Sequence, residues 1–208
     1  MTPEPVVYVI DDDPNFRQML GWLFESVAIR MQEFGSAQDF LAKLDTLECG
    51  CLILDLRMPD MDGLALLETL RSRWMLLPVI VVSAHGEIPT AVRSLHLGAI
   101  DFLEKPVNHQ RLLERVRAAL EANLEFRRVF GSPRQLAERL ASLTPREREV
   151  MEALVQGKAN KVIAADLGAS IRTIESHRAN LMHKLGVRSL PGLVQLKLYL
   201  SNTNPFAS

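Results

Sequence analysis

Two cysteines in 208 residues leave no material for a disulfide framework or a zinc quartet. They stand at positions 49 and 51, around the start of an apolar run and too close together to bridge usefully. Such usage fits a reducing cytoplasm. Also missing is any run of about 18 apolar residues, and no cationic start leads into an apolar stretch, so neither a membrane span nor a signal peptide is expected. There is no internal repeat, and the one low-complexity hint is the polar tail after Ser201. Net charge is nearly absent too, at −1, but the balance conceals a split. Residues 1–125 hold 19 Asp and Glu against 11 Lys and Arg, a net of −8; residues 126–208 hold 6 against 13, a net of +7. An acidic half that collects cations, joined to a basic half that meets polyanions, implies two jobs. Composition alone does not separate a nucleic-acid ligand from a merely basic surface. At this length one or two domains are expected, each able to bury a core.

The first half alternates between short apolar runs and stretches of helical spacing. Short β-branched runs at 6–10, 51–55, 79–82 and 100–103, with a weaker one at 30–34, read as buried strands. Between and after them the helical spacing predicts helices at 14–27, 36–44, 64–73, 88–97 and 108–120. The first has Phe16, Leu20, Leu23, Phe24 and Val27 on one face, Asp13 placed to cap and Pro14 at the first helical position. Five strands alternating with five helices predict a parallel sheet covered on both sides. From 121 to 142 apolar density falls and Gly131-Ser132-Pro133 interrupts the helical pattern, so 123–140 reads as a partly helical linker. The rest is helical. Thr144-Pro145-Arg146-Glu147 combines an N-cap, a proline and a capping-box glutamate, and Val150, Met151, Leu154 and Val155 supply that helix's buried face. Further helices are predicted at 159–167, 171–185 and 189–200. Leu193, Val194, Leu196 and Leu198 on the last form a candidate dimer surface.

The strands end in chemistry. The first stops at Asp11-Asp12, the third at Asp55, the fourth at Ser83, and the fifth leads through Glu104 into Lys105-Pro106. In a parallel sheet the carboxyl ends of the strands converge on one crevice. Each acid has a plain structural alternative: Asp13 is a cap, Asp11 and Asp12 suit a loop, and Asp55 suits a turn. Together they need a shared reason, because three clustered carboxylates repel and raise one another's pKa. A hard divalent ion relieves that repulsion, Lys105 offers a point charge to a phosphate oxygen, and Ser83 offers a hydrogen bond.

In the basic half, Ala164, Gly168 and Ile174 provide the small residue, turn glycine and buried apolar residue of a helix-turn-helix. At about 100° per residue, Ile174, Arg178, Leu181, Met182 and Leu185 cluster inward on the helix predicted at 171–185. Arg172, Thr173, Ser176, Ala179, Asn180 and His183 face outward, with Glu175 at the margin. Such a face suits a major groove. An ordinary solvated helix in a four-helix bundle is the alternative, and Arg178 is open between bracing the fold and reaching a phosphate.

Residues 1–125 resemble the receiver domain of a two-component response regulator. The resemblance rests on Asp11-Asp12, the run from Leu54 to Gly63 (Leu-Asp-Leu-Arg-Met-Pro-Asp-Met-Asp-Gly), Ser83-Ala84 and Phe102-Leu103-Glu104-Lys105-Pro106. The stretches 143–150, 157–164 and 173–180 resemble the LuxR-type DNA-binding domain. Nearly the whole chain is thus similar to a FixJ/NarL-class transcriptional regulator, nearer the FixJ-type branch. The implied fold is a flavodoxin-like α/β receiver with a five-stranded parallel doubly wound sheet at 1–122, the linker at 123–140, and an all-α four-helix helix-turn-helix domain at 141–208.

The resemblance implies that Asp55 accepts phosphate from a sensor histidine kinase. It implies that Asp12, Asp55 and the Arg57 backbone carbonyl ligate Mg²⁺ or Mn²⁺, with Asp11 helping through water. Ser83 and Phe102 match a hydroxyl and an aromatic that rearrange together, with Lys105 the phosphate-sensing lysine ahead of a cis proline. Candidate DNA contacts are Lys161, Arg172, Thr173, Glu175, Ser176, Ala179, Asn180, His183 and Lys184. Further implications are a homodimer on phosphorylation, promoter DNA and RNA polymerase as partners, activation rather than repression, a bacterial cytoplasm and no membrane. Two rivals are weighed against this. A haloacid-dehalogenase-type phosphohydrolase also uses an aspartyl phosphate, but needs an acid two residues on, where this chain has Arg57. An independent enzyme is therefore not expected, beyond slow self-phosphorylation and dephosphorylation at Asp55. A phospho-switched protein whose basic domain binds other proteins would lack the steep salt dependence of DNA binding.

Overall fold

Residues 4–47, 49–72, 77–84 and 87–201 are described in the computed structural model, in which the chain divides into two compact units at Arg128/Val129. In the first unit the short apolar runs form strands β1 (Val6–Ile10), β2 (Arg30–Phe34), β3 (Gly50–Leu54), β4 (Val79–Ser83) and β5 (Ala99–Glu104). All pair in parallel, in the order β2-β1-β3-β4-β5. The connecting helices are α1 (Pro14–Ser26), α2 (Ala37–Lys43), α3 (Gly63–Ser72), α4 (Ile88–His96) and α5 (His109–Phe130), with a 3₁₀ turn at Leu44–Thr46.

Alternation along each strand sends successive side chains to opposite faces, and each face has its own core. Tyr8, Ile10, Leu52, Leu54 and Val81 pack with Phe40 of α2 and with Leu66, Leu67 and Leu70 of α3. Val7, Val9, Ile53, Ile80 and Val82 pack with Leu20 and Phe24 of α1 and with Leu112 and Val116 of α5. Each such side chain, fully buried, contributes about 1.5–3 kcal/mol relative to exposure. Cys49 and Cys51 are both free thiols buried in this unit.

The sequence understates α5. That helix continues ten residues past the predicted end at Leu120, through much of the expected linker. Its inward positions there are Asn123, Phe126 and Phe130, all buried. A buried asparagine in that stripe breaks the apolar periodicity that would announce it. The Asn123 amide oxygen accepts the Gly50 backbone N–H (3.1 Å) and the Cys49 thiol (3.0 Å), tying α5 to the start of β3. The predicted interruption follows: Gly131 takes φ +83°, and Ser132 and Gln135 form a capping box for α6 (Pro133–Ala141).

The second unit contains α6, α7 (Pro145–Val155), α8 (Asn160–Asp166), α9 (Ile171–Leu185) and α10 (Leu190–Ser201). Thr144 and Glu147 form the expected capping box. Val150, Leu154, Ile163, Ile174, Leu181 and Leu185 make the core, with α9 in contact with α6, α7 and α8. One expectation fails on α10. Leu193 and Leu196 belong to the domain's own core, since α10 packs against α7, which leaves Leu198 exposed and Val194 partly so. Arg73 and the tail after Ser201 lie outside the described residues. No described helix is long and apolar enough to cross a membrane.

Candidate functional site

Chain order reverses between β1 and β3, which lie side by side with β2 outside one and β4 and β5 outside the other. Such a reversal opens a crevice at the carboxyl ends of the strands. Ile10 and Leu54 are register partners, so Asp11 and Asp55, next along each strand, leave the sheet together. The Asp55 N–H donates to the Ile10 carbonyl (2.9 Å), and the Asp11 N–H to that of Phe34 (3.2 Å). Carboxylate oxygens of Asp11, Asp12 and Asp55 all lie within 4.8 Å of one another. Asp11 and Asp55 are buried; Asp12 is exposed.

Ser83 and Glu104 are register partners at the ends of β4 and β5, and the Lys105 N–H donates to the Ser83 carbonyl (3.0 Å). The buried hydroxyl residue and the lysine are therefore neighbours. Lys105 Nζ donates to Asp11 Oδ2 and to Asp55 Oδ2, both at 2.7 Å, and the Lys105-Pro106 bond is cis. Phe102 lies one strand position pair below this edge, opposite Val81, and packs partly buried against the α2–α3 core.

Three carboxylates and one ammonium leave a formal −2 in the crevice. Burial pushes the Asp11 carboxyl above the usual carboxylate range, and the Asp55 charge adds to this, against the hydrogen bond and charge of Lys105. Burial also opposes the Lys105 charge, but its hydrogen bonds to Asp11 and Asp55 and their charges outweigh that, raising it above an ordinary lysine. Clustered hard oxygens with two excess negative charges fit Mg²⁺ or Mn²⁺. Around Asp55 the loop is close-fitting. Asp55 Oδ1 accepts the Arg57 N–H at 3.2 Å. A Cβ on Gly63 would lie 2.5 Å from the Asp55 carbonyl oxygen, so only glycine lets α3 start there. Asp13 is the cap it was read to be, accepting the Asn15 N–H at 2.9 Å.

Two neighbours of the crevice escape sequence reasoning. The Phe16 ring lies under Lys105 Nζ, 4.1 Å from its centroid. Arg17 Nη1 donates to the Asp11 carbonyl at 2.6 Å, and Arg17 Nε lies 3.5 Å from a Glu33 carboxylate oxygen. Their signal was position: both sit in the first turns of a capped helix that opens directly after the acids.

In the second unit, the outward residues of α9 fall as the helical wheel places them. Arg172, Thr173, Glu175, Ser176, Ala179, Asn180 and His183 are exposed, as is Lys161 on α8, while Arg178 is half-buried. Ser170 caps α9, accepting the Thr173 N–H (3.1 Å) and sharing a hydrogen bond with the Thr173 hydroxyl (2.8 Å). The turn before it uses Gly168 at φ +60°. Lys184 does not join the exposed set. Its ammonium donates to Glu147 (2.7 Å) and to the Ser142 carbonyl (3.0 Å), because Glu147 is buried at the start of α7 and needs a cation.

Comparison with known proteins agrees with both halves. Residues 7–117 match the response regulator receiver domain, and residues 141–197 match the bacterial regulatory proteins of the luxR family. The chain is 40% identical over 198 residues to the transcriptional regulatory protein FixJ of Bradyrhizobium diazoefficiens, covering 95% of this chain and 97% of that one. It is 44% identical over 192 residues to FixJ of Azorhizobium caulinodans, covering 92% and 91%. Among solved structures it is similar to full-length FixJ from B. japonicum (TM-score 0.57, 40% identity, 96% and 98% covered). It is also similar to the response regulator StyR (TM-score 0.59, 40% identity, 94% and 98% covered). With a receiver before a LuxR-type DNA-binding domain, the chain belongs to the FixJ-like response regulators of two-component systems.

Proposed function

We propose that Asp55 is the phosphoacceptor of this regulator. The observation that carries the proposal is the Lys105 ammonium held at 2.7 Å from both Asp11 and Asp55 in a three-carboxylate crevice. An Asp55 carboxylate oxygen attacks phosphorus, and the bond from phosphorus to the kinase's histidine nitrogen breaks with its electron pair on nitrogen. Asp11, Asp12, Asp55 and the Arg57 carbonyl would hold Mg²⁺ or Mn²⁺, which when bound supplies charge neutralisation for the transferring group. Lys105 then turns to a phosphoryl oxygen, and Ser83 donates a hydrogen bond to another. Phe102 follows the Ser83 movement.

The acyl phosphate carries about −1.5 to −2 where the free carboxylate carried −1, and this change shifts an existing equilibrium toward a receiver dimer. Exposure of Ile88 and Val92 on α4 supports a dimer face formed by α4, β5 and α5. Pairing would place two copies of α9 on a palindromic promoter site, with Arg172, Thr173, Glu175, Ser176, Ala179, Asn180 and His183 toward base edges and Lys161 toward phosphates. Lys184 braces the domain instead. The unit that ends at Arg128 acts as receiver and the unit Val129–Ser201 as reader of DNA, so the expected linker at 123–140 divides between them. The output is activation through RNA polymerase in a bacterial cytoplasm, and the only chemistry of the chain alone is slow gain and loss of phosphate at Asp55. Replacing Asp55 with asparagine is expected to abolish uptake of labelled, acid-labile phosphate from acetyl phosphate in the presence of Mg²⁺. Undiminished label on Asp55→Asn would place the phosphate elsewhere.

A further inference from the structure

We infer that Phe16 is a positioning residue whose ring seats the Lys105 ammonium in the crevice and keeps it in reach of a phosphoryl group on Asp55. The inference rests on the phosphoacceptor reading of Asp55. Lys105 Nζ has hydrogen bonds to two carboxylates, and it also lies over the Phe16 ring, 4.1 Å from the centroid. A cation over an aromatic face is held by the ring's quadrupole, and more firmly where water is partly excluded. Lys105 is half-buried here.

This seat differs from the Asp55 anchor in one respect. When Asp55 becomes an acyl phosphate, its carboxylate charge is gone and one of the two ionic anchors of Lys105 goes with it. The ring does not depend on the charge of Asp55. With Asp11 it retains the ammonium at the moment when the lysine has to find a phosphoryl oxygen instead of escaping to solvent along its flexible stem. The ring is itself fixed by the turn that presents the acids. Asp13 caps that turn, Pro14 opens it, and the adjacent Arg17 donates to the Asp11 carbonyl at 2.6 Å. Phe16 also packs against the α1–α5 core, so its ring cannot swing away without leaving a void. A leucine there would keep the packing and lose the quadrupole.

The test uses the full chain with Phe16→Leu and Phe16→Tyr. In the unphosphorylated protein, NMR of the Lys105 side chain is expected to show methylene signals shifted upfield by the ring in the parent and in Phe16→Tyr, and unshifted in Phe16→Leu. After acetyl phosphate and Mg²⁺, Phe16→Leu is expected to take up as much phosphate as the parent. Its dimer dissociation constant should rise roughly two- to thirty-fold, with Phe16→Tyr within about two-fold of the parent. Phosphorylated dimers as tight in Phe16→Leu as in the parent, or Phe16→Tyr as weak as Phe16→Leu, would overturn the inference. So would unshifted Lys105 signals in the parent. If Phe16→Leu lowers the thermal midpoint substantially, Phe16→Met, which fills the same space without a ring, takes its place with the same expected outcomes. A parent that takes up no phosphate would overturn the Asp55 reading, while the NMR comparison still decides whether the ring seats the lysine.

Discussion

Lys105 shares its charge between two buried acids, and this makes it suited to report a change at one of them. Removing it separates chemistry from consequence. Lys105→Ala is expected to form phosphate on Asp55 but not to dimerise in response, as measured by sedimentation of the phosphorylated protein; dimerisation equal to the parent's would remove Lys105 from the switch. The residues that meet at the crevice were legible because each ends a strand, and a strand's end is where a short continuous apolar run stops. Asp11, Asp55, Ser83 and Lys105 needed only the topology to bring them together. Phe16 and Arg17 were not legible as site residues. A side chain that faces both the core and the site leaves a single periodic signal, and the core accounts for it. Lys184 was misplaced for a related reason. Its position on α9 suits DNA, but nothing in a helical wheel announces a buried glutamate 37 residues away.

Elements are joined here by a few buried polar groups, and the α7–α9 brace is the clearest. Glu147 caps α7 by accepting the Thr144 N–H (2.8 Å) while Lys184 of α9 donates to it (2.7 Å). The Lys184 hydrogen bond, helped by the Thr144 backbone and hydroxyl, holds the Glu147 carboxyl below the usual glutamate range despite its burial. A carboxyl with a depressed folded-state pKa contributes stability that is present above its unfolded pKa, about 4.3, and lost as pH falls through the folded value. Glu147→Gln is therefore expected to destabilise the protein by about 1–3 kcal/mol at pH 7. The gap from the parent should close as pH falls below about 4.3, read from chemical denaturation across pH. A gap unchanged from pH 7 to pH 3 would deny the charge its role. At this scale the strands, the order of helices and the caps at Asp13 and Thr144 followed from local pattern. The length of α5 did not, because Asn123 occupies a core position that an apolar residue would have marked. Nor did the inward turn of Leu193 and Leu196, since an amphipathic stripe looks the same whether it faces its own core or a partner.

The whole molecule divides its labour as its charge does, with a net of −8 over residues 1–125 and +7 over residues 126–208. The acidic half brings three carboxylates together where strands end, and the basic half carries an exposed polar face on α9. Both halves match known families, and the pairing of the two is what FixJ-like regulators share. Two domains with separate chemistry form one regulator only if phosphate on the first changes what the second does. The decisive measurement is the affinity of the full chain for a duplex selected from random sequence, at one fixed salt concentration, before and after acetyl phosphate and Mg²⁺. Phosphorylation is expected to tighten binding by about 5- to 150-fold, the usual range of coupling between sites, and to leave Asp55→Asn unchanged. Equal affinity before and after in a fully phosphorylated parent, or the same tightening in Asp55→Asn, would contradict the account.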